Sequence, residues 1–294
     1  IMNLHPRPDF VMIGAMKCAT STLHVQLAAQ PGFFMSTPKE PNYFSDDAVF
    51  AQGPTWYRGL FAEAKPGDIR GESSTHYTKL PVHTETIARL QEELDGAPVK
   101  LIYMMRHPID RLVSQYIHEW TQGVVSAKID VALEQHPEMS AYSCYAMQLE
   151  PWIEAFGKEA ILPLFTDGLR AHSQRTLERV CDFLGYQGAP VWDDSKGDQN
   201  VSAVRMRKSP VRDIAAIPAL RWIRRAFVPE AWRAKVKSRW VMTERPQLSA
   251  ASLQKLEKKF DQDLAQLGDW LGLDLNCANW KSVATEAEPE WVKK

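Results

Sequence analysis

Short apolar runs alternate with longer amphipathic stretches along the first two thirds of the chain. Asp9–Gly14 (DFVMIG) is apolar almost throughout and ends in glycine, which predicts a buried strand. Thr20–Gln30 then carries helical patterning and stops at Pro31-Gly32. Ile69–Ser74 predicts a second strand, His83–Leu94 a helix, and Val99–Arg106 (VKLIYMMR) the clearest strand of all. Pro108 stands where a first-turn helix proline is tolerated, and Ile109–Thr121 continues with helical periodicity. Met139–Phe156 reads as one helix, Ile161–Phe165 as a fourth strand, and Ser173–Leu184 as a helix closed by Gly185. Leu253–Leu271 is a strongly periodic helix with mixed charges, and the polar residues from Thr285 onward are expected to fray.

Apolar strands of this kind suit parallel pairing with both faces covered. Strand–helix alternation adds right-handed crossovers. The predicted fold class is therefore α/β, with a central parallel sheet flanked by helices. A single domain is expected over 1–294, made of an α/β core at 9–200 and a basic loop with C-terminal helices at 201–284.

Composition changes this picture little. Apolar residues make up 45% of the chain and charged residues 24%, as in ordinary globular proteins. A formal net charge of −1 gives no global field for nucleic acid. Cys18, Cys144, Cys181 and Cys277 lie far apart, without the C-x-x-C spacing of a zinc or redox site. Neither an apolar leader core nor a run of about 18 apolar residues is present, so the expectation is a cytoplasmic protein without a transmembrane segment.

Two segments carry candidate chemistry. Ile13–Leu23 (IGAMKCATSTL) spans a strand-to-helix junction, where free backbone N–H groups and the helix dipole favour an anion. Lys17 adds a charge, and Thr20, Ser21 and Thr22 add hydroxyl donors. The pattern is not G-x-x-x-x-G-K-[ST], which argues against an ATPase with bound Mg²⁺. The second segment is Tyr103–Tyr116 (YMMRHPIDRLVSQY). It puts Arg106 at the end of a strand, where α/β sheets bind ligands and a guanidinium can grip phosphate with two donors. Ser114 follows on the next helix. No H-x-x-x-H, clustered His/Cys set or calcium loop occurs, so no metal is expected.

Together these segments resemble the sulfotransferases that use 3′-phosphoadenosine 5′-phosphosulfate (PAPS). The first is similar to their K-x-G-T-T/S loop, with Ala19 in place of the glycine. The second is similar to R-x-P-x-x-R-x-x-S-x-Y at Arg106, Pro108, Arg111, Ser114 and Tyr116. Pro38–Phe44 (PKEPNYF) resembles the K-E-P-H-[FY]-F segment of bacterial and heparan-type members. Gly71–Tyr77 (GESSTHY) resembles G-E-K/A-S-P-x-Y, with Ser73 where many members have lysine. Ser143–Leu149 with Trp152, Phe183–Gly185 and Leu264–Trp280 extend the likeness over nearly the whole chain.

The resemblance implies a P-loop-kinase-like sulfotransferase fold and transfer of a sulfuryl group to a hydroxyl or amine. The product nucleotide is 3′-phosphoadenosine 5′-phosphate (PAP). It assigns Lys17, Cys18, Ala19, Thr20, Ser21 and Thr22 to the 5′ side of the donor, and Arg106 and Ser114 to its 3′-phosphate. Glu40 is implied as the base, with His76 as its rival. Arg205 or Arg207, in a segment resembling N-x-S-x-x-P-R-S, is implied as a further donor contact. The acceptor is a glycan, a lipid or a small molecule, with carbohydrate ahead. A P-loop nucleotide kinase and a catalytically inactive nucleotide-binding module are the competing functions. The basic stretch Arg205–Arg245, with Trp222, Trp232 and Trp240, suits a platform for an acidic acceptor, a membrane-surface helix or packed helices with basic outer faces.

Overall fold

The computed structural model describes residues 6–196, 205–206, 241–242 and 244–293. Five parallel strands form its centre: β1 (Phe10–Gly14), β2 (Phe33–Met35), β3 (Ile69–Ser73), β4 (Lys100–Met105) and β5 (Ile161–Phe165). Their order is β2-β3-β1-β4-β5. The register pairs Val11 with Glu72 and with Leu101. Every residue of β1 is buried, as its unbroken apolar sequence requires of a central strand. Pro163 lies in β5, at an edge where a missing N–H costs least.

Helices cover the sheet: α1 (Thr20–Ala28), α2 (Thr86–Leu94), α3 (Pro108–Gln122), α4 (Tyr145–Phe156), α5 (Ser173–Leu184), α6 (Ala250–Leu271) and α7 (Trp280–Glu286). Gly185 closes α5 and Gly272 closes α6, both in the left-handed conformation that favours glycine at a helix end. A two-residue antiparallel ladder joins Arg205–Met206 to Val241–Met242. Most of the expected basic region, Arg207 included, lies outside the described residues.

The structure corrects the sequence reading in three places. First, Phe33–Met35 is a strand, too short to show a period after the Pro31-Gly32 stop. Second, Met139–Phe156 is not one helix. A short helix, Glu138–Ala141, is separated from α4 by a turn. The fully buried Arg111 holds that turn, donating from Nε to Ser143 Oγ at 2.5 Å and from Nη2 to Met139 O at 2.8 Å. The restarted helix has no cap of its own, and Asp263 of α6 accepts from the Ala146 and Met147 N–H groups at 2.9 Å each. Third, the end of the chain is docked rather than frayed. Trp291 Nε1 donates to Ile161 O at 2.7 Å, and Val292 N donates to Trp270 O at 2.9 Å.

The topology positions a ligand site. The chain leaves β1 toward β2 and β3 on one side of the sheet, and leaves β4 toward β5 on the other. A crevice therefore opens beyond the carboxyl ends of β1 and β4, where α/β sheets bind ligands. Gly14 ends β1 at its mouth. A Cβ there would lie 2.0 Å from Thr78 Oγ1, which donates to Ile13 O at 2.8 Å. Gly14→Ala is expected to destabilise the fold by roughly 1–3 kcal/mol through overpacking. An unchanged denaturation midpoint would show that the Thr78 contact does not constrain this position.

Candidate active site

The loop from Ala15 to Ala19 joins β1 to α1. Ala15 N donates to Met104 O at 2.9 Å, which ties the loop to β4. Lys17 and Ala19 have φ of 70° and 63°, so the loop turns through two left-handed residues. α1 then begins without a side-chain cap and without an acidic residue in its first turn. Its positive end faces the crevice. Cys18 differs from its neighbours: its thiol is buried, 4.0 Å from Tyr145 Oη, and its N–H is already bonded to Ala15 O at 3.2 Å. Burial pushes that thiol up to about 11. Thr20 and Thr22 are buried, while Lys17, Ala19 and Ser21 are partly exposed.

Arg106 follows β4 directly. Its backbone is clasped by one side chain: Arg106 N donates to Tyr145 Oη at 3.2 Å, and Tyr145 Oη donates to Arg106 O at 2.5 Å. Tyr145 packs against the buried Trp280, whose Nε1 donates to Asp167 at 3.0 Å. Trp280, at the start of α7, thus supports the strand end that presents Arg106. Ser114 is partly exposed two turns into α3. Arg111, which the motif shares, is wholly internal and builds the Met139–Ser143 turn instead.

Glu40 enters from the other side, on a loop laid over the end of β3. Glu40 and Asn42 have φ of 58° and 54°. Glu40 N donates to Ser73 O at 2.9 Å, and Asn42 N donates to Ser74 Oγ at 3.1 Å. The Glu40 carboxylate accepts from Lys39 Nζ at 2.7 Å and from Thr75 Oγ1 at 3.2 Å. Burial would raise its pKa, but Lys39, His76 and Thr75 outweigh burial and hold the carboxyl below the usual range. His76 stacks on His83 with ring centroids 5.3 Å apart. Burial, with help from Lys79 and His83, lowers its pKa to about 4.

Beneath this loop lies a carboxylate that sequence reasoning passed over as part of a motif. Glu72 is fully buried in β3 and accepts from Tyr57 Oη at 3.0 Å, Tyr77 Oη at 2.8 Å and Ser74 Oγ at 3.0 Å. Burial raises its pKa to about 7 against the pull of those hydrogen bonds. Also unforeseen are His24, whose Nδ1 lies 2.9 Å from Ser73 Oγ, and His118 on α3, which feels the charges of Lys17, Lys79 and Glu40. His118 thus lies within electrostatic reach of Lys17, Lys79 and Glu40, and Glu40 within reach of His76. Among the described residues, no group of three or more His, Cys, Asp or Glu side chains could hold a metal ion. Arg205 lies in the two-residue ladder, and only its backbone is described.

Residues 7–268 match the family model described as the sulfotransferase domain. The chain belongs to that family. Among curated relatives, the membrane-associated sulfotransferase kil1 of Dictyostelium discoideum is 30% identical over 51% of this chain and 32% of its own. The heparan sulfate glucosamine 3-O-sulfotransferase 3B1 of Mus musculus is 28% identical over 60% of this chain and 46% of its own. The chain thus spans a third to a half of the length of these relatives. The crystal structure of a sulfotransferase from Alicyclobacillus acidocaldarius shares the fold, with a TM-score of 0.65 and 19% identity over 94% of this chain and 99% of that one. No described helix of the chain is long and apolar enough to cross a membrane.

The buried histidines set an acid limit on stability. His24 has a pKa of about 4 in the fold, first because of burial and then because of Lys39, against 6.5 when unfolded. The unfolded chain therefore takes up a proton that the folded chain refuses, and stability falls as pH drops from about 6.5 to about 4. By pH 5, His24 alone costs about 2 kcal/mol relative to neutral pH. Denaturant titration of His24→Gln at the two pH values should show a smaller acid loss than wild type. Equal losses would mean that His24 is not held neutral.

Proposed function

We propose that this sulfotransferase moves a sulfuryl group from PAPS to a hydroxyl or amine of an acceptor. The observation that carries the reading is the shared crevice of the β1 loop and the end of β4, opposite Glu40. The donor carries phosphates at both ends of its nucleoside. The loop suits the 5′ end: its left-handed turns and uncapped helix leave amides facing the crevice, with Lys17 beside them. Arg106 and Ser114 suit the 3′-phosphate, and Arg205 or Arg207 is a further contact on that side. The bound donor supplies an activated sulfuryl group with a good leaving phosphate.

The remaining chemistry falls to side chains. Lys17 neutralises charge at the oxygen that departs with the nucleotide, and so favours the transition state over the ground state. Glu40 takes the proton of the acceptor as it attacks. Its low pKa keeps it ionised through neutral pH, and its loop is fixed at both residues that flank Pro41. His76, stacked on His83 with a pKa of about 4, is the weaker candidate. The heparan-type relatives favour a carbohydrate acceptor. The whole chain then acts as one sulfotransferase domain, 1–294, with the donor site in its 9–200 core.

Calorimetric titration with PAP, without metal, tests the donor site. Wild type should bind with micromolar affinity, and Arg106→Ala should weaken binding at least tenfold, about 1.4 kcal/mol. No PAP binding beside Mg²⁺-dependent ATP binding would move the assignment to a kinase. Glu40→Gln should leave PAP affinity intact and lower turnover by about 10²–10⁴-fold at saturating acceptor. A loss under tenfold would remove Glu40 from the role of base.

A further inference from the structure

Lys79 follows the helical turn Thr75–Thr78 and is only 7% exposed. Lysines so deep in a fold are normally paired with an anion. Among the described residues this ammonium makes no ion pair. It lies over the Tyr142 ring, 5.7 Å from the centroid. A ring face offsets part of the lost hydration but fills none of the three N–H donors in the way an acceptor oxygen would. The nitrogen still meets solvent, for it is not among the polar side-chain atoms sealed off without a partner. Burial lowers its pKa to about 8, helped by Arg111 and opposed by Glu119 and Glu40.

The charged neighbours of Lys79 place it beside Glu40 and α3. Glu40 approaches from the loop, His76 from the preceding turn, and Arg111, His118 and Glu119 from α3. Thr75, at the head of the turn that ends at Lys79, donates to the Glu40 carboxylate at 3.2 Å, so Lys79 belongs to the segment that meets the Glu40 loop. The donor's phosphates already have Lys17 and Arg106, so the charge missing at Lys79 has to arrive with the other substrate.

We infer that Lys79 is a recognition site for an anionic group on the acceptor, a carboxylate or a sulfate ester carried near the reacting hydroxyl or amine. This rests on the donor-site reading above and adds the class of acceptor to it. A neutral acceptor would leave the buried cation unmatched, whereas an anionic one supplies the oxygen that its N–H groups lack.

The test uses the full chain saturated with PAP and a matched pair of probes, 4-nitrophenyl β-glucuronide and the neutral 4-nitrophenyl β-glucoside. Wild type should bind the glucuronide roughly tenfold more tightly, the size of one charge-assisted hydrogen bond. Lys79→Met should erase that preference and Lys79→Arg should keep part of it, with PAP affinity the same in all three. Lys79→Gln replaces the methionine variant if that one does not fold. Adding 4-nitrophenyl sulfate as a third probe tells a sulfate-ester site from a carboxylate site. Either anion's advantage supports the assignment if it disappears with the lysine charge. Equal affinity for all probes, binding of none of them, or a preference that survives Lys79→Met overturns it. Failure of wild type to bind PAP would instead remove the donor reading itself.

Discussion

The site depends on one buried carboxylate. Glu72 lies inside the sheet with three hydroxyl groups directed at it, from Tyr57, Tyr77 and Ser74. An ion so deep is tolerated only where several donors replace its water, and here they come from three segments. Tyr57 brings the helix Gly53–Gly59, and Tyr43 stacks on its ring at 4.6 Å. Tyr77 brings the turn that ends at Lys79. Ser74 accepts from Asn42 N while donating to Glu72, so the loop carrying Glu40 is anchored through the same network. Two left-handed residues in that loop are tolerable because their neighbours over-determine them.

A second chain of contacts fixes the opposite wall. Trp280 packs on Tyr145, and Tyr145 brackets both backbone groups of Arg106. The C-terminal segments thus act on the site from behind the sheet, which explains why the end of the chain is docked instead of loose. Lys39 and Thr75 satisfy Glu40, whereas Lys79 makes no ion pair among the described residues and lies over the Tyr142 ring.

Much of this was legible in the sequence. Three of the four longest strands, β1, β4 and β5, are apolar runs, and the loop and arginine segments carry residue types that chemistry alone would select for phosphate. What escaped detection involves long-range contacts. Phe33–Met35 is a strand because β3 lies beside it, not because three residues show a period. The break before α4 arises from Arg111, which in the sequence is only a matching motif position and whose side chain is sealed in the core. Glu72 reads as one letter of a motif until Tyr57, fifteen residues upstream, is seen to donate to it. His118 looks like an ordinary surface residue of a helix and Lys79 like a loop lysine, and only folding brings them near Glu40.

A crystal structure of the chain soaked with PAP tests the central claim most directly. The account predicts the 5′-phosphate on the amides of Ala19, Thr20 and Ser21 beside Lys17, the 3′-phosphate between Arg106 and Ser114, and Glu40 facing the 5′ end across open space. Nucleotide density elsewhere on the sheet, or a 5′-phosphate out of reach of Lys17, would contradict it.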